Sequence, residues 1–500
     1  MKRFTRPSIP LLLALITALF AAVVSLSFAA DGDLAPAPGG ILLPELGSPS
    51  DQYLTPADET RLGREFIKNV RETQDVVDEP LIDEYIQSMG RQLVEQSDAA
   101  GGQFHFFVIR SPVINAFAGP GGYIGIYSGL ILASQSESEL ASVVAHEIAH
   151  VTQKHLLRAF DAANRMSGKT AALLLAAVLI GASASGEAGM AIAAGAQANA
   201  LQQQINFTRS NEQEADHVGI GLLADANFDP RSMPIFFERL TDASRLYENG
   251  IPEILRTHPV TTNRIADALN RADTYPYRQY TSSHRYYLVR EMLRVSHYDK
   301  PADAVKYYAE GLKQERYLNQ EAHRFGYVLA LQQAGDPDQA EKMLQPLLKQ
   351  RPTETSYIQV QARIALARRE MEQALQTLQT AYLLLPNDYP LAIHYAETLL
   401  KAGKQSEVDK VIDQLRALRP REPRLLRLAA RAAQARGKQT ESHRQLAEAY
   451  VFEGDLAAAI NQLEIALKQP DKGDFYLQSQ LEARLQELQQ RHSEAQAKSQ

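Results

Sequence analysis

Five hundred residues, 45% hydrophobic and 22% charged, are too many for one hydrophobic core and too apolar for a disordered or collagen-like chain, so roughly two to four domains are expected. A net charge of −7 with no Lys/Arg block argues against nucleic acid as a partner. Cysteine is absent, which excludes disulfide frameworks, thiolate zinc sites and cysteine nucleophiles, and leaves any metal to His, Asp and Glu.

Residues 1–29 begin with Lys2, Arg3 and Arg6, continue through the apolar run Leu11–Val24 and end on Ser27-Phe28-Ala29. This is the layout of a secretory signal peptide with cleavage near Ala29 or Ala30. The competing reading is an uncleaved anchor, because Leu11–Phe28 is close to the shortest span that crosses a bilayer. A cleaved signal makes the chain exported, and periplasmic in a diderm bacterium.

From 51 to 275 helix and strand signals alternate. Thr55-Pro56-Ala57-Asp58 reads as a helix N-cap with Pro at N1 and a carboxylate at N3. Phe104–Ile109 and Val113–Phe117 are β-branched and aromatic, and Pro120-Gly121-Gly122 turns the chain into a third strand, Tyr123–Tyr127. Ser136-x-x-Glu139 is a capping box that opens an apolar-periodic helix running to about Phe160.

That helix contains His146-Glu147-Ile148-Ala149-His150. Two histidines at i and i+4 differ by only about 40° around a helix, so both imidazoles can reach one zinc ion. Glu147, one residue on, falls beside the metal as a base for the attacking water. His155 would lie about 180° from His146 on the same helix and reads as a solvated or packing residue. The third ligand is sought in Asn211-Glu212-Gln213-Glu214-Ala215-Asp216-His217. Glu212 and Asp216 share a face at i,i+4, whereas Glu214 points about 200° away. Glu212 suits the metal, Asp216 suits a supporting contact to a ligand imidazole, and His217 is the donor that could displace Glu212.

After the second histidine, Ala171–Ala184 and Ala188–Ala196 are apolar arms around Gly186-Glu187, each short of the ~20 residues that span a bilayer. A packed helical hairpin and a mobile, membrane-touching gate are both open readings, so peripheral membrane contact stays open too. Val113–Ala118 reads as an edge strand that could add an extended substrate, with Asn115 either contacting it or capping a turn.

From 283 to 485 strand signals vanish and a repeat takes over. Pro352, Pro386 and Pro420 are spaced by 34, as are Gly403 and Gly437, with Gly335 in phase and Arg369 in the missing glycine slot. Ala340 and Ala374 hold a small position, and Leu344, Leu378, Ile412 and Leu446 an apolar one, at the same period. These series resemble tetratricopeptide repeats, paired helices stacked into a solenoid that binds proteins. Residues 301–317 begin the array in a degenerate form, the register slips after Gly437, and the polar tail 486–500 is either a cap or unstructured.

With the motifs in place, the chain resembles the zinc peptidases related to CAAX prenyl proteases and HtpX. The match lies in HEIAH, in NEQEAD with its E-x-x-x-D spacing, and in Thr257-His258-Pro259 ahead of Arg264-Ile265. Asn115-Ala116-Phe117-Ala118-x-Pro120-Gly121-Gly122 and Gly129-Leu130 match as well. The resemblance implies one zinc ion on His146, His150 and Glu212, Glu147 as catalytic acid/base and Asp216 as a second acid. It also implies that His258 can fill the fourth zinc position and hold the enzyme latent. The membrane-embedded relatives have spanning helices that this sequence lacks, so their substrate rules do not transfer.

The fold expected is therefore an α+β zinc metallopeptidase domain, mostly helical with a small sheet, followed by an all-α repeat solenoid. Among repeat-bearing, exported members the resemblance points to periplasmic quality control and assembly of outer-membrane β-barrel proteins, with unfolded or misassembled barrels and their assembly machinery as partners. The reading from another class is a chaperone or assembly scaffold whose zinc site is latent or mainly structural.

Overall fold

The computed structural model describes residues 56–158, 209–246, 252–468 and 475–497. The signal segment 1–29, Thr55 and the apolar insert 171–196 lie outside the described residues.

Helix α1 (Pro56–Thr73) is followed by α2 (Pro80–Val94), which starts with Pro in its first turn and buries Leu81, Ile82, Tyr85, Ile86, Met89, Leu93 and Val94. That 3–4 spacing is one apolar stripe, and it packs on β1 (His105–Ile109). The sheet has the order β1–β3–β2. β1 runs parallel to β3 (Tyr123–Tyr127), with Phe106 opposite Ile124 and Val108 opposite Ile126. β2 (Ala116–Ala118) runs antiparallel to β3 and sits at the edge. The β2–β3 turn uses Gly121 and Gly122 at φ 71° and 74°, a region that a Cβ disfavours.

The second strand is shorter than the sequence predicts. Val113, Ile114 and Asn115 form a loop pressed onto the start of α3 (Ser128–Ala133). A Cβ on Gly129 would lie 2.3 Å from the Pro112 carbonyl oxygen and 2.4 Å from that of Val113, and the Gly129 N–H donates to Ser111 O at 2.9 Å. Ile114 O accepts the Ile254 N–H at 3.1 Å, away from the sheet, and only Asn115 O, which accepts the Tyr127 N–H at 3.0 Å, still reaches β3.

Helix α4 (Glu137–Thr152) is buried from Ser138 to His150, the signature of a central helix. Its capping box forms: the Glu139 N–H donates to Ser136 Oγ at 3.2 Å, and Glu139 Oε2 accepts the Gln135 N–H at 2.6 Å. Glu139 also receives both arms of the Arg239 guanidinium. The helix stops eight residues before the predicted end, because Lys154 adopts φ 53° and the chain resumes helical geometry at 155–158 along a new direction. Helix α5 (Arg209–Asp225) lies along α4, and α6 (Ser232–Leu246), α7 (Glu253–Thr257) and α8 (Thr262–Ala272) close the layer around them.

The repeat array follows as helix pairs. First, α9 (His284–Ser296) and α10 (Pro301–Lys313) both pack on α11 (Gln320–Gln333), which pairs with α12 (Pro337–Gln350), and α13 (Thr355–Ala367) pairs with α14 (Met371–Leu384). Next come α15 (Tyr389–Lys401) with α16 (Gln405–Leu418), α17 (Pro423–Ala435) with α18 (Gln439–Glu453), and α19 (Leu456–Lys468) with α20 (Phe475–Ala497). Gly335, Gly403 and Gly437 form the within-pair turns at φ 77°, 73° and 74°, and Arg369 takes φ 64° in the slot without glycine. Ala340, Ala374, Leu344 and Leu378 are wholly buried and Ile412 nearly so. The series stops there: Leu446 is only half-buried, and Gln445 and Ala447 face inward on α18. Residues 486–497 continue α20, whose Leu481 and Leu488 pack with Ala459, Leu463 and Ala466.

Beside the packing of α9 and α15 on α2, two sets of polar contacts tie the array to the preceding region. Near its start, the Arg290 guanidinium of α9 donates to carbonyls at the end of α3 that the helix itself leaves over, Ile131 O at 2.7 Å and Leu132 O at 3.1 Å. Near its end, Arg419 pairs with Glu84 at 2.7 Å, Arg424 with Asp83 at 2.8 Å and with Asp78, and Lys68 with Asp455 at 3.2 Å. Among the described residues, no helix is long and apolar enough to cross a membrane.

Candidate metal centre

Helices α4 and α5 and the turn after α7 bring His146, His150, Glu212 and His258 together, with one ligand-capable atom from each lying within 4.8 Å of all the others. All four side chains are buried. The i,i+4 spacing on α4 sets the two Nε2 atoms 3.0 Å apart. Glu212, one helix away, lies 3.5 Å from each of them, through Oε2 to His146 and Oε1 to His150. His258 enters from the C-terminus of α7, its N–H donating to Ile254 O at 2.8 Å. Its Nδ1 stands 3.1 Å from Glu212 Oε1 and 3.4 Å from His146 Nε2, and its Nε2 stands 3.5 Å from Glu147 Oε1.

Glu147 is 1% exposed, and its Oε1 receives no hydrogen bond from the described residues. Burial raises its pKa against the pull of the His258 and His146 rings. Burial also works against the Glu212 carboxylate, but the facing His258 and His146 outweigh it and hold the pKa well below the usual range. Burial and the neighbouring His146 push His150 well below an ordinary imidazole.

Asp216 is not in the donor set. Its Oδ1 lies 2.9 Å from His146 Nδ1, behind the ring, and it takes a bidentate pair of bonds from Arg264, Nε and Nη2 both at 2.8 Å. Arg264 Nη1 also reaches Glu212 Oε2 at 2.7 Å. Burial disfavours the His146 imidazolium, yet the Asp216 and Glu212 carboxylates prevail and push its pKa up to about 10.

These features fit a divalent cation. Among the described residues, three buried carboxylates, Glu147, Glu212 and Asp216, face one guanidinium, Arg264, so the site carries an excess of negative charge that a dication balances. Ring nitrogens directed at one another and at a carboxylate form a converging set of lone pairs, and an orphaned Glu147 oxygen lies beside them. A site that draws a proton onto His146 is one where metal binding releases that proton.

The remaining candidates fall elsewhere. His217 is exposed on α5, away from the donor set. Asn115 is 2% exposed and turned inward, its Oδ1 3.5 Å from the hydroxyl of Thr257, the residue before His258. One residue, His155, is placed otherwise than helix geometry predicts. His155 is fully buried because the bend at Lys154 swings it back onto His150, Nδ1 to Nδ1 at 2.8 Å, and burial lowers its pKa despite Glu214. Glu214, which points away from Glu212 on α5, meets His155 Nε2 at 3.0 Å. Arg264 is recognisable in the sequence only as part of a motif. The signal for its role is charge balance, since acids brought to the centre of a protein need a cation near them.

Residues 80–272 match the model of Peptidase family M48, and this defines the class of protein as a metallopeptidase. The β-barrel assembly-enhancing protease of Escherichia coli K12 is 34% identical over 453 residues, covering 90% of this chain and 91% of that protein. A putative β-barrel assembly-enhancing protease of Vibrio cholerae is 36% identical over 373 residues, covering 74% and 77%. The mitochondrial metalloendopeptidase OMA1 of Arabidopsis thaliana is 28% identical over 219 residues, 43% of this chain and 41% of that one. The chain belongs to the β-barrel assembly-enhancing protease family and is a metalloendopeptidase with a repeat array.

Proposed function

We propose that this chain is a periplasmic zinc endopeptidase acting on outer-membrane β-barrel proteins that are unfolded or misassembled. In this reading residues 1–29 direct export, 51–275 form the peptidase domain, and 283–485 recruit clients or their assembly machinery. The observation that carries it is the convergence of His146, His150, Glu212 and His258 next to Glu147. The names of the bacterial relatives support the choice of client class.

His146, His150 and Glu212 would hold one zinc ion. When bound, zinc supplies Lewis acidity to the scissile carbonyl and to the water that attacks it. Glu147 takes the proton of that water and returns it to the leaving amine, and its raised pKa suits an exchange in both directions. Asp216 and Arg264 hold the His146 ring in register. His258 stands where the water must approach Glu147, so it is the resting latch and its turn must move before turnover. Asn115, beside Thr257 in that turn, is the polar contact an extended substrate meets once the latch has moved.

The test is cleavage of an unfolded outer-membrane β-barrel protein by the zinc-loaded full chain, compared with Glu147→Gln and His258→Ala. Cleavage by the wild type, none by Glu147→Gln and faster cleavage by His258→Ala is the expected pattern. Slower cleavage by His258→Ala at unchanged zinc content would replace the latch by direct assistance. The position of His258 also favours a second reading, a scaffold with a shut site. No cleavage by any form with zinc bound, and retained barrel assembly by Glu147→Gln, would favour it.

A further inference from the structure

The two histidines of α4 need their rings set in one tautomer before either can act as a ligand, and the structure supports each ring by a different route. Behind His146 the Asp216 carboxylate stands at 2.9 Å from Nδ1. Behind His150 the corresponding place is taken by another imidazole, that of His155, 2.8 Å away and fully buried, and Glu214 stands 3.0 Å beyond it. Were α4 continuous, residue 155 would be turned about 140° away from residue 150. The left-handed backbone at Lys154 makes the contact geometrically available.

The protons along this chain are determined by chemistry. An ionised carboxylate only accepts, so the hydrogen on His155 is at Nε2, facing Glu214. A neutral imidazole carries one N–H, which leaves His155 Nδ1 as an acceptor. The hydrogen in the 2.8 Å contact then comes from His150 Nδ1. His150 Nε2 is left as a lone pair, directed at His146 Nε2 and Glu212. The other tautomer would drive an N–H into the donor set.

We infer that His155 and Glu214 form a positioning relay that fixes His150 as the Nδ1–H tautomer and so readies its Nε2 for a divalent metal ion. Three acids of α5 then have one task each. Glu212 faces the metal position, Asp216 backs His146 directly, and Glu214 backs His150 through an imidazole that spans the gap its own position on the helix leaves. Arg158, which donates to Glu214 Oε2 at 3.1 Å, orients the far end. The inference rests on the proposed zinc site and adds the part of it that sets ligand readiness.

The test uses the full chain and zinc itself. Zinc affinity is measured by competition with a chromogenic chelator, and the tautomer of His150 is read from its ring ¹⁵N shifts in the metal-free protein. His155→Asn keeps an acceptor where Nδ1 was, and His155→Leu removes it at similar volume. His155→Leu should bind zinc about 10- to 100-fold more weakly and lose the Nδ1–H signature, whereas His155→Asn stays within about threefold of wild type. Equal losses in Asn and Leu would reduce the role to packing, and an unchanged affinity or tautomer in Leu would overturn the relay. Should His155→Leu fail to fold, Glu214→Ala, at a partly exposed carboxylate, decides by the same two readouts: weaker zinc and a mixed tautomer support the relay, wild-type values overturn it. A wild type that binds no stoichiometric zinc but keeps the His150 Nδ1–H form would sink the metal reading separately.

Discussion

In residues 56–272 the decisive contacts join positions far apart in the chain: His146 on α4 meets Glu212 on α5 and His258 after α7, and Arg264 on α8 reaches back to Asp216. In residues 284–497 the cores are made by neighbours in sequence, each helix pair burying residues such as Leu344 or Leu378 against the next pair. The first region gathers buried Glu147, Glu212, Asp216 and Arg264 at one point, while the repeat cores are built mainly of Ala, Leu, Ile, Val and aromatic residues, with the buried charges Arg290 and Glu291 on α9. A solenoid can be stable by nearest-neighbour apolar contact alone. Chemistry needs unlike charges held at one point, which only a fold with long-range closure provides, at a cost that the local ion pairs and a metal must offset.

The largest separation between the two regions should come from removing the metal. A strong chelator is expected to abolish proteolysis and to speed amide exchange in α4 and α5, with exchange in α13–α16 unchanged. Equal loosening of both regions would show that they are one cooperative unit, and the comparison would fail. Next in size, Arg264→Ala leaves Glu212 and Asp216 buried without their cation and should destabilise the first region by about 3–5 kcal/mol in denaturant unfolding. Arg264→Lys should recover only part, since an ammonium cannot make the bidentate pair with Asp216.

In the repeats, Leu378→Ala opens a cavity at a wholly buried position and should cost about 2–4 kcal/mol, read as a lower first unfolding transition. Cleavage of a short unstructured peptide should be unaffected by it. The smallest effect tests the turn series itself. Gly403→Ala forces a Cβ into φ 73° and should destabilise by about 1 kcal/mol, and Arg369→Gly, at φ 64°, should stabilise by a few tenths to about 1 kcal/mol. If the two substitutions shift the melting temperature in the same direction, the left-handed turns are not what the period selects.

Much of the fold and of the site is legible in the amino-acid sequence. The i,i+4 pairs His146/His150 and Glu212/Asp216 declare their shared faces because helix geometry is rigid over one turn. The 34-residue series declares the solenoid because each pair repeats the same burial problem, and Arg369 shows the slot being used without its usual residue. What the sequence conceals lies at breaks in regular geometry. No Gly or Pro announces the bend at Lys154, so a continued helix hides both His155 and the end of α4. The loop at 113–115 reads as strand by composition, but Val113 O lies against Gly129 and Ile114 O accepts from Ile254, neighbours that composition does not announce. Leu446 keeps the period in sequence but not in burial, since α18 turns Gln445 and Ala447 inward before the array closes.

The salt bridges from Arg419, Arg424 and Asp455 to α1 and α2 turn the repeat array into a mechanical loop. A solenoid fixed only at its first pair can bend freely and fray from its far end. Here α9 is anchored through Arg290 and the last pairs are clasped to α1 and α2, on which α15 also packs, so both ends of the array bear on the same helices. The ion pairs of the clasp are partly exposed, so each contributes little and weakens with salt. A ligand that straightens or tightens the repeats would thus pull on the peptidase region through these charges and the helix packing beside them.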